Sequence, residues 1–358
     1  MRYLAIGALC LAACHHAVAV PPPLWPEADA LFHTNPRWLG ADAALSIPLG
    51  ADRTLWLFGD TFVATSAAHL RSESKMVHNT IGVESGLDPT HATVDLLWRD
   101  NPDGSPASYF PEDGERYMWP GHGVRIGSRV ILFLMSQRAT NSGGVFGFAH
   151  AGDRVAILDG VDRAPSTWTL STIDLPDPGF DASVGTAVVA TADSLVAVAV
   201  RNAGDHVGYL VRWPLTDVAA NVFTNPAWWN GSAWVPPSAL ASLPAVVLDD
   251  AGPECSVHFD TARARWVHVY TRGFGASQVS MHTAPALEGP WSAPIDLFTP
   301  PESAAPNAFV YAAKAHPELD AGGQLVVSYA TNSFDFGTLV ATPGLYYPLL
   351  ARVDLSAH

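Results

Sequence analysis

Residues 37–63 read RWLGADAALSIPLGADRTLWLFGDTFV, and this stretch decides the fold. Asp42 to Leu49 is an extended run, Gly50-Ala51-Asp52-Arg53 is a turn, and Thr54 to Phe62 is a more apolar return strand. A short loop containing Gly is an ordinary hairpin connector. If the hairpin folds about Ala51, facing residues have numbers that sum to 102, and Asp42 faces Asp60. Directly opposed side chains of an antiparallel pair have Cβ atoms about 4.5–5.5 Å apart. Two carboxylates that close raise one another's pKa and cost stability. Acid/base or nucleophilic chemistry at a glycosidic bond uses such a pair. The alternative is structural: Asp42 caps a turn, and Asp60, beside Gly59, binds backbone amides at a strand end.

Recurrence of the same layout favours the pair. The chain repeats a strand, a tight turn and a more apolar strand at roughly 50–65 residues, the period of propeller blades or a solenoid. Gly121 to Ile126 turns into Val130 to Ser136, and Ser183 to Val189 turns into Leu195 to Val200. Glu254 to Phe259 turns into Arg265 to Thr271, and Tyr311 to His316 leads into Gln324 to Thr331. No stretch keeps a helical period, so the expectation is an all-β, five-bladed β-propeller forming a single domain over residues 35–356. Leu345 to Leu355 is the last strand-like stretch and is expected to close the ring against the N-terminal segment.

In a propeller the first strand of each blade surrounds the axial channel. The expected starts of those strands, Asp42, His122, Ser183, Glu254 and Tyr311, gather at one end. The second strands return there with Asp60, Gln137, Arg201, Arg272 and Asn332. A polar, titratable cluster at converging strands is the default ligand site. Asp42 and Asp60 are the candidate catalytic pair, and Glu254 is a third carboxylate, a general acid or a pKa tuner. The candidate substrate-binding residues are Asn79, Trp119, His122, Arg272, His316 and Asn332. His122 lies between glycines in Trp119-Pro-Gly-His-Gly123, so a ligand can approach closely. His316 either lines the channel or is a plain structural histidine. The piece Trp228-Trp-Asn-Gly-Ser-Ala-Trp234 either stacks on sugar rings or packs between blades.

Composition narrows the classes. Hydrophobic residues make up 48% and charged residues 15% of 358, which suits a large strand-built core. A net charge of −15 argues against nucleic acid and anionic lipid surfaces as partners. Residues 1–19 read as an export signal: Arg2, an apolar run from Tyr3 to Ala13, then Leu11-Ala12-Ala13-Cys14, which resembles a bacterial lipobox that would lipidate Cys14. The competing cleavage follows Ala17-Val18-Ala19. Either implies an exported protein, an outer-membrane lipoprotein or a periplasmic or secreted one, with residues 20–34 as a spacer. Cys255 then stands alone in the body, so neither a disulfide framework nor a Cys-based metal site is expected. No phosphate loop, HExxH or GxSxG motif is present, which argues against nucleotide use and serine hydrolase chemistry. No cofactor and no metal is expected, and the body is expected to be a monomer.

Trp38-Leu-Gly-Ala-Asp42, Leu55-Trp-Leu-Phe-Gly-Asp-Thr-Phe62, Asn79-Thr-Ile81, Trp119-Pro-Gly-His-Gly123, Glu254-Cys-Ser-Val257 and Tyr329-Ala-Thr-Asn332 resemble the domain-of-unknown-function families 4185 and 5005 (DUF4185 and DUF5005). The first includes bacterial endo-D-arabinanases, which are glycoside hydrolases. The resemblance covers roughly residues 35–353. It implies a five-bladed propeller that cleaves arabinofuranosyl or related glycosidic bonds in a poly- or oligosaccharide, with Asp42 and Asp60 matching the catalytic carboxylates. Two other classes stay open: a glycan-binding propeller lipoprotein without chemistry, and a structural lipoprotein that presents the propeller to a protein.

Overall fold

The computed structural model describes residues 23–141, 146–202, 204–272 and 278–357. The export signal and Cys14 lie outside the described residues. Five antiparallel sheets follow one another along the chain, four as simple meanders and the first interrupted by two strands of a separate small sheet. Blade one is Leu45–Gly50, Arg53–Phe58, Thr80–Ser85 and Thr93–Leu97. Blade two is Arg116–Ile126, Arg129–Ala139, Phe148–Asp159 and Thr169–Asp174. Blade three is Ala182–Ala190, Ser194–Arg201, Gly208–Pro214, Ala227–Trp229 and Trp234–Val235. Blade four is Cys255–Asp260, Arg265–Arg272, Gln278–Ala284 and Ile295–Phe298. Blade five is Ala308–His316, Leu325–Ser333 and Leu349–Val353. Its missing outer strand comes from the N-terminus, where Leu24 bridges to Ala351 and Trp25 N–H donates to Leu350 O.

The first strands of the five blades form a ring joined by hydrogen bonds. His122 of blade two reaches Ser46 O of blade one and Val188 N of blade three. Cys255 of blade four contacts Thr186 of blade three, and Ser256 Oγ accepts from Ala315 N of blade five. Ser46 Oγ meets His316 Nδ1 at 2.6 Å and closes the ring. The strands come close enough because small residues stand at their bulges. A Cβ on Gly121 would lie 2.5 Å from Gly185 O. This is the architecture of a β-propeller.

One apolar cluster fills each gap between neighbouring blades. Phe133, Ile157, Tyr209 and Trp228 join blades two and three; Leu57, Ile81, Leu132 and Leu158 join one and two. Val198, Leu210, Val257 and Tyr270 join three and four, and Val269, Met281, Val327 and Tyr329 join four and five. Burial of apolar area at about 25 cal/mol per Å² makes these faces the main driving force for ring closure. The stretch expected to be a spacer belongs to this body. Trp25, Ala28, Leu31 and Phe32 are buried against Trp38, Trp56 and Phe58 between blades five and one. Residues 25–32 bury four apolar side chains, which need a partner surface, and that outweighs the proline-rich lead-in.

The blade-two expectation needs the same kind of correction. Its first strand begins at Arg116, not Gly121, and pairs Tyr117 with Gln137 and Trp119 with Met135. His122 therefore sits well inside the strand. Its flanking glycines serve a bulge between Pro120 and Gly123.

Candidate active site

The opening hairpin keeps the expected register: Leu45 pairs with Leu57, Ser46 with Trp56, and Ile47 with Leu55. The strand does not, however, run through to Asp42. Ala43 and Ala44 adopt φ of 66° and 55°, left-handed values that cost a non-glycine residue about 1–2 kcal/mol. Beyond this break the chain pairs again, Ala41 with Thr61, in a small separate sheet of Trp38–Ala41, Thr61–Ala64 and Ser74–Val77. Asp42 and Asp60 lie at the joint between the two ladders, flanked by rungs of the same register. Gly59 is required there, because a Cβ would stand 2.3 Å from Asp42 Oδ1.

Both carboxylates line a cavity of about 870 Å³ at the mouth of the channel. Asp42 Oδ2 accepts from Tyr311 OH at 2.6 Å and from Tyr346 OH at 3.0 Å. Burial first, then the charges of Asp60 and Glu254, push the Asp42 carboxyl up to about 8. Burial and Asp42 in turn hold both phenols well above their ordinary range, so they remain donors at neutral pH. Asp60 Oδ1 accepts from Trp119 Nε1 at 2.9 Å and lies 3.0 Å from His78 Nδ1. His78 stacks on Tyr117 with ring centroids 3.9 Å apart. The donors to both carboxylates are side chains rather than backbone amides.

Glu254 immediately precedes the first strand of blade four and lines the same cavity. Its Oε2 is 2.8 Å from the ammonium of Lys314. That buried ammonium also donates to Ala43 O at 2.6 Å and Ala312 O at 2.8 Å, so all three of its protons are used. Lys314 thus ties blade five to the strained joint and to the third carboxylate. Arg71 does related work from outside. Buried, it donates to the carbonyls of Leu39, Leu339, Thr342, Pro343 and Leu345, and so bolts the segment that carries Tyr346.

Of the expected site residues, Asp42, Asp60, Glu254, Trp119 and Asn332 line the cavity. Asn332 Nδ2 donates to Tyr311 OH at 3.3 Å. The other four do not line it. Asn79 is buried, with its amide spent on Phe110 N, Phe110 O and Met118 O. His122 accepts from Val188 N and donates to Ser46 O, and burial lowers its pKa. His316 bonds Ser46 and Ser328 and is lowered well below its usual range by burial. Arg272 pairs with Asp296 at 3.0 Å at the outer end of blade four. The first three satisfy their hydrogen bonds within the scaffold, which spacing alone does not show.

Sequence reasoning passed over Tyr346, His78 and Lys314 as site residues, and named Tyr311 only as a strand start. Lys314 left a signal: it is a lysine inside the apolar strand AFVYAAKAH. The three others left none: His78 and Tyr346 stand in bends between elements, and a tyrosine such as Tyr311 is ordinary in a half-buried strand.

A crystal structure of a protein of Bacteroides ovatus ATCC 8483, provisionally designated a hydrolase, superimposes with a TM-score of 0.72 at 15% identity. The match covers 93% of this chain and 90% of that one, and the two share a fold. The endo-arabinase of Bacteroides thetaiotaomicron VPI-5482 gives 0.45 at 12% identity over 88% and 95% of the two chains. A GH43_1 enzyme from Xanthomonas citri, solved with xylotriose, gives 0.46 at 12% over 87% and 86%. No curated protein matches the chain. Of the two families that the sequence resembles, one matches residues 27–354, and the chain belongs to it: the domain of unknown function family DUF5005.

Proposed function

We propose that the protein is a glycoside hydrolase whose reacting groups are Asp42 and Asp60, with Glu254 assisting. The observation that carries this reading is the unequal environment of carboxylates in one cavity. Asp42 is desolvated and holds a proton near neutral pH, whereas Asp60 and Glu254 each face a basic side chain. Environments that separate titratable neighbours assign acid and base roles. Asp42 then protonates the leaving glycosidic oxygen. Asp60 either attacks the anomeric carbon or takes a proton from the attacking water. Glu254, paired with Lys314, stands close enough to Asp42 to push its carboxyl up and so helps it retain its proton.

The rest of the cavity suits a sugar. Trp119, Phe148, Phe309 and Tyr311 offer ring faces or edges, and Gln137, Ser183, Asn202 and Asn332 offer polar groups. The sequence resemblance to endo-D-arabinanases makes arabinofuranosyl linkages the first substrates to try. The test is hydrolysis of a panel of arabinans, arabinogalactans, xylans and galactans by wild type, Asp42→Asn and Asp60→Asn. Cleavage that both folded variants lose supports the reading. Glycan binding by all three proteins with no cleavage anywhere would replace it with a carbohydrate-binding propeller. The anomeric product of the first turnover then distinguishes retention from inversion.

A further inference from the structure

We propose that the groove between blades two and three is a distal subsite for a neutral glycan chain, so that the preferred substrate is a polymer rather than a terminal sugar. This rests on the glycoside hydrolase reading above. A second cavity of about 700 Å³ runs beside the first and shares His150 and Asp181 with it. His150 stands at the junction, its Nε2 2.9 Å from Asp153 and its Nδ1 3.7 Å from Asp181. From there the groove passes the start of blade three toward Phe180, Trp213 and Trp228. Cavities of about 300–1,000 Å³ take ligands far larger than one sugar ring. Two that share walls accommodate several units in line.

The lining points to carbohydrate. Phe180, half-exposed, meets the buried Trp228 edge to face, with centroids 5.0 Å apart, and its ring offers an apolar surface for a sugar's C–H face. Trp228 is 2% exposed, yet its indole N–H has no hydrogen-bond partner among the described residues. In the first cavity the carbonyl Oε1 of Gln137 is buried and likewise unpartnered. Buried polar groups without partners are uncommon, and ligand hydroxyls satisfy such donors and acceptors. Asp174 on the groove is paired with Arg154, while Asp177 and Asp181 border it as acceptors for neutral hydroxyls. They repel uronates and sulfated sugars, in keeping with a net charge of −15.

The test measures kcat/KM on ladders from disaccharide to octasaccharide, prepared from linear arabinan, xylan and galactan. The expected result in wild type is a ratio of octasaccharide to trisaccharide kcat/KM of about tenfold or more on the ladder that is cleaved. Phe180→Ala and Asp177→Arg collapse that ratio toward unity. Asp177 is exposed on the same groove, so its variant occludes the subsite without touching the core. Phe259→Ala, exposed near the far end of the first strand of blade four, keeps the wild-type ratio. Cleavage with no dependence on length, or an unchanged ratio in both groove variants, overturns the subsite and leaves the hydrolase reading intact. No cleavage of any ladder overturns the hydrolase reading, and the subsite falls with it.

Discussion

The mouth of the axial channel and its waist are built from the same strands, yet only the mouth turns its titratable groups toward an open cavity. At the waist, Ser46, His122, His316 and Ser328 satisfy one another and the backbone, and join blades one, two, three and five. At the mouth, three carboxylates meet in an open cavity, held by phenols, an indole, an imidazole and an ammonium. Titratable groups in a channel therefore do not mark a site by themselves. What marks it is polar capacity left facing a space that a ligand can enter.

Breaking the mouth produces the largest expected effect on activity. Asp60→Asn lowers kcat/KM by about 10²–10⁴, the usual contribution of a positioned acid or base, while the melting temperature holds. Breaking the waist produces the opposite pattern. His122→Ala strands Val188 N and Ser46 O inside the ring and costs about 1–3 kcal/mol, read from a urea midpoint, while turnover per folded molecule is retained. A His122 variant that folds normally but loses turnover would erase the distinction between the two regions.

Protonation sharpens the comparison further. The folded pKa of Asp42 is raised to about 8 from 3.8. Its contribution favours the folded state below pH 4 and is lost as pH rises through about 8, because the unfolded carboxyl ionises first. Asp42→Asn is therefore expected to match wild-type stability in acid and to exceed it above pH 8, measured by thermal melts across pH. Activity that needs the Asp42 proton falls on the same alkaline limb. The smallest effect is expected from Tyr346→Phe. It removes one donor that favours the carboxylate form, so the alkaline limb of the rate profile moves to higher pH while turnover at its plateau changes little.

Much of this was legible beforehand. The turn at Gly50 to Arg53 and the alternating strands fixed the hairpin register, and the register placed Asp42 opposite Asp60. Period and turn chemistry located every blade, with the first strand of blade two started at Gly121 instead of Arg116. The strained joint at Ala43 and Ala44 was not readable, since alanine carries no mark of a positive φ. Nor was the satisfaction of Asn79, His122 and His316, whose partners are backbone groups and hydroxyls 12 to 270 residues away. A sequence displays which residues can titrate. Only packing decides which of them are already spoken for.

The most direct test of the central claim is a carbon-13 NMR titration of aspartate carboxyls, with Asp42 assigned by its loss in Asp42→Asn. The expected result is an Asp42 signal that stays in the protonated form at pH 7 and titrates near 8. A signal that titrates near 4, like a solvated aspartate, would contradict the account, because Asp42 would then have no proton to give a leaving group at neutral pH.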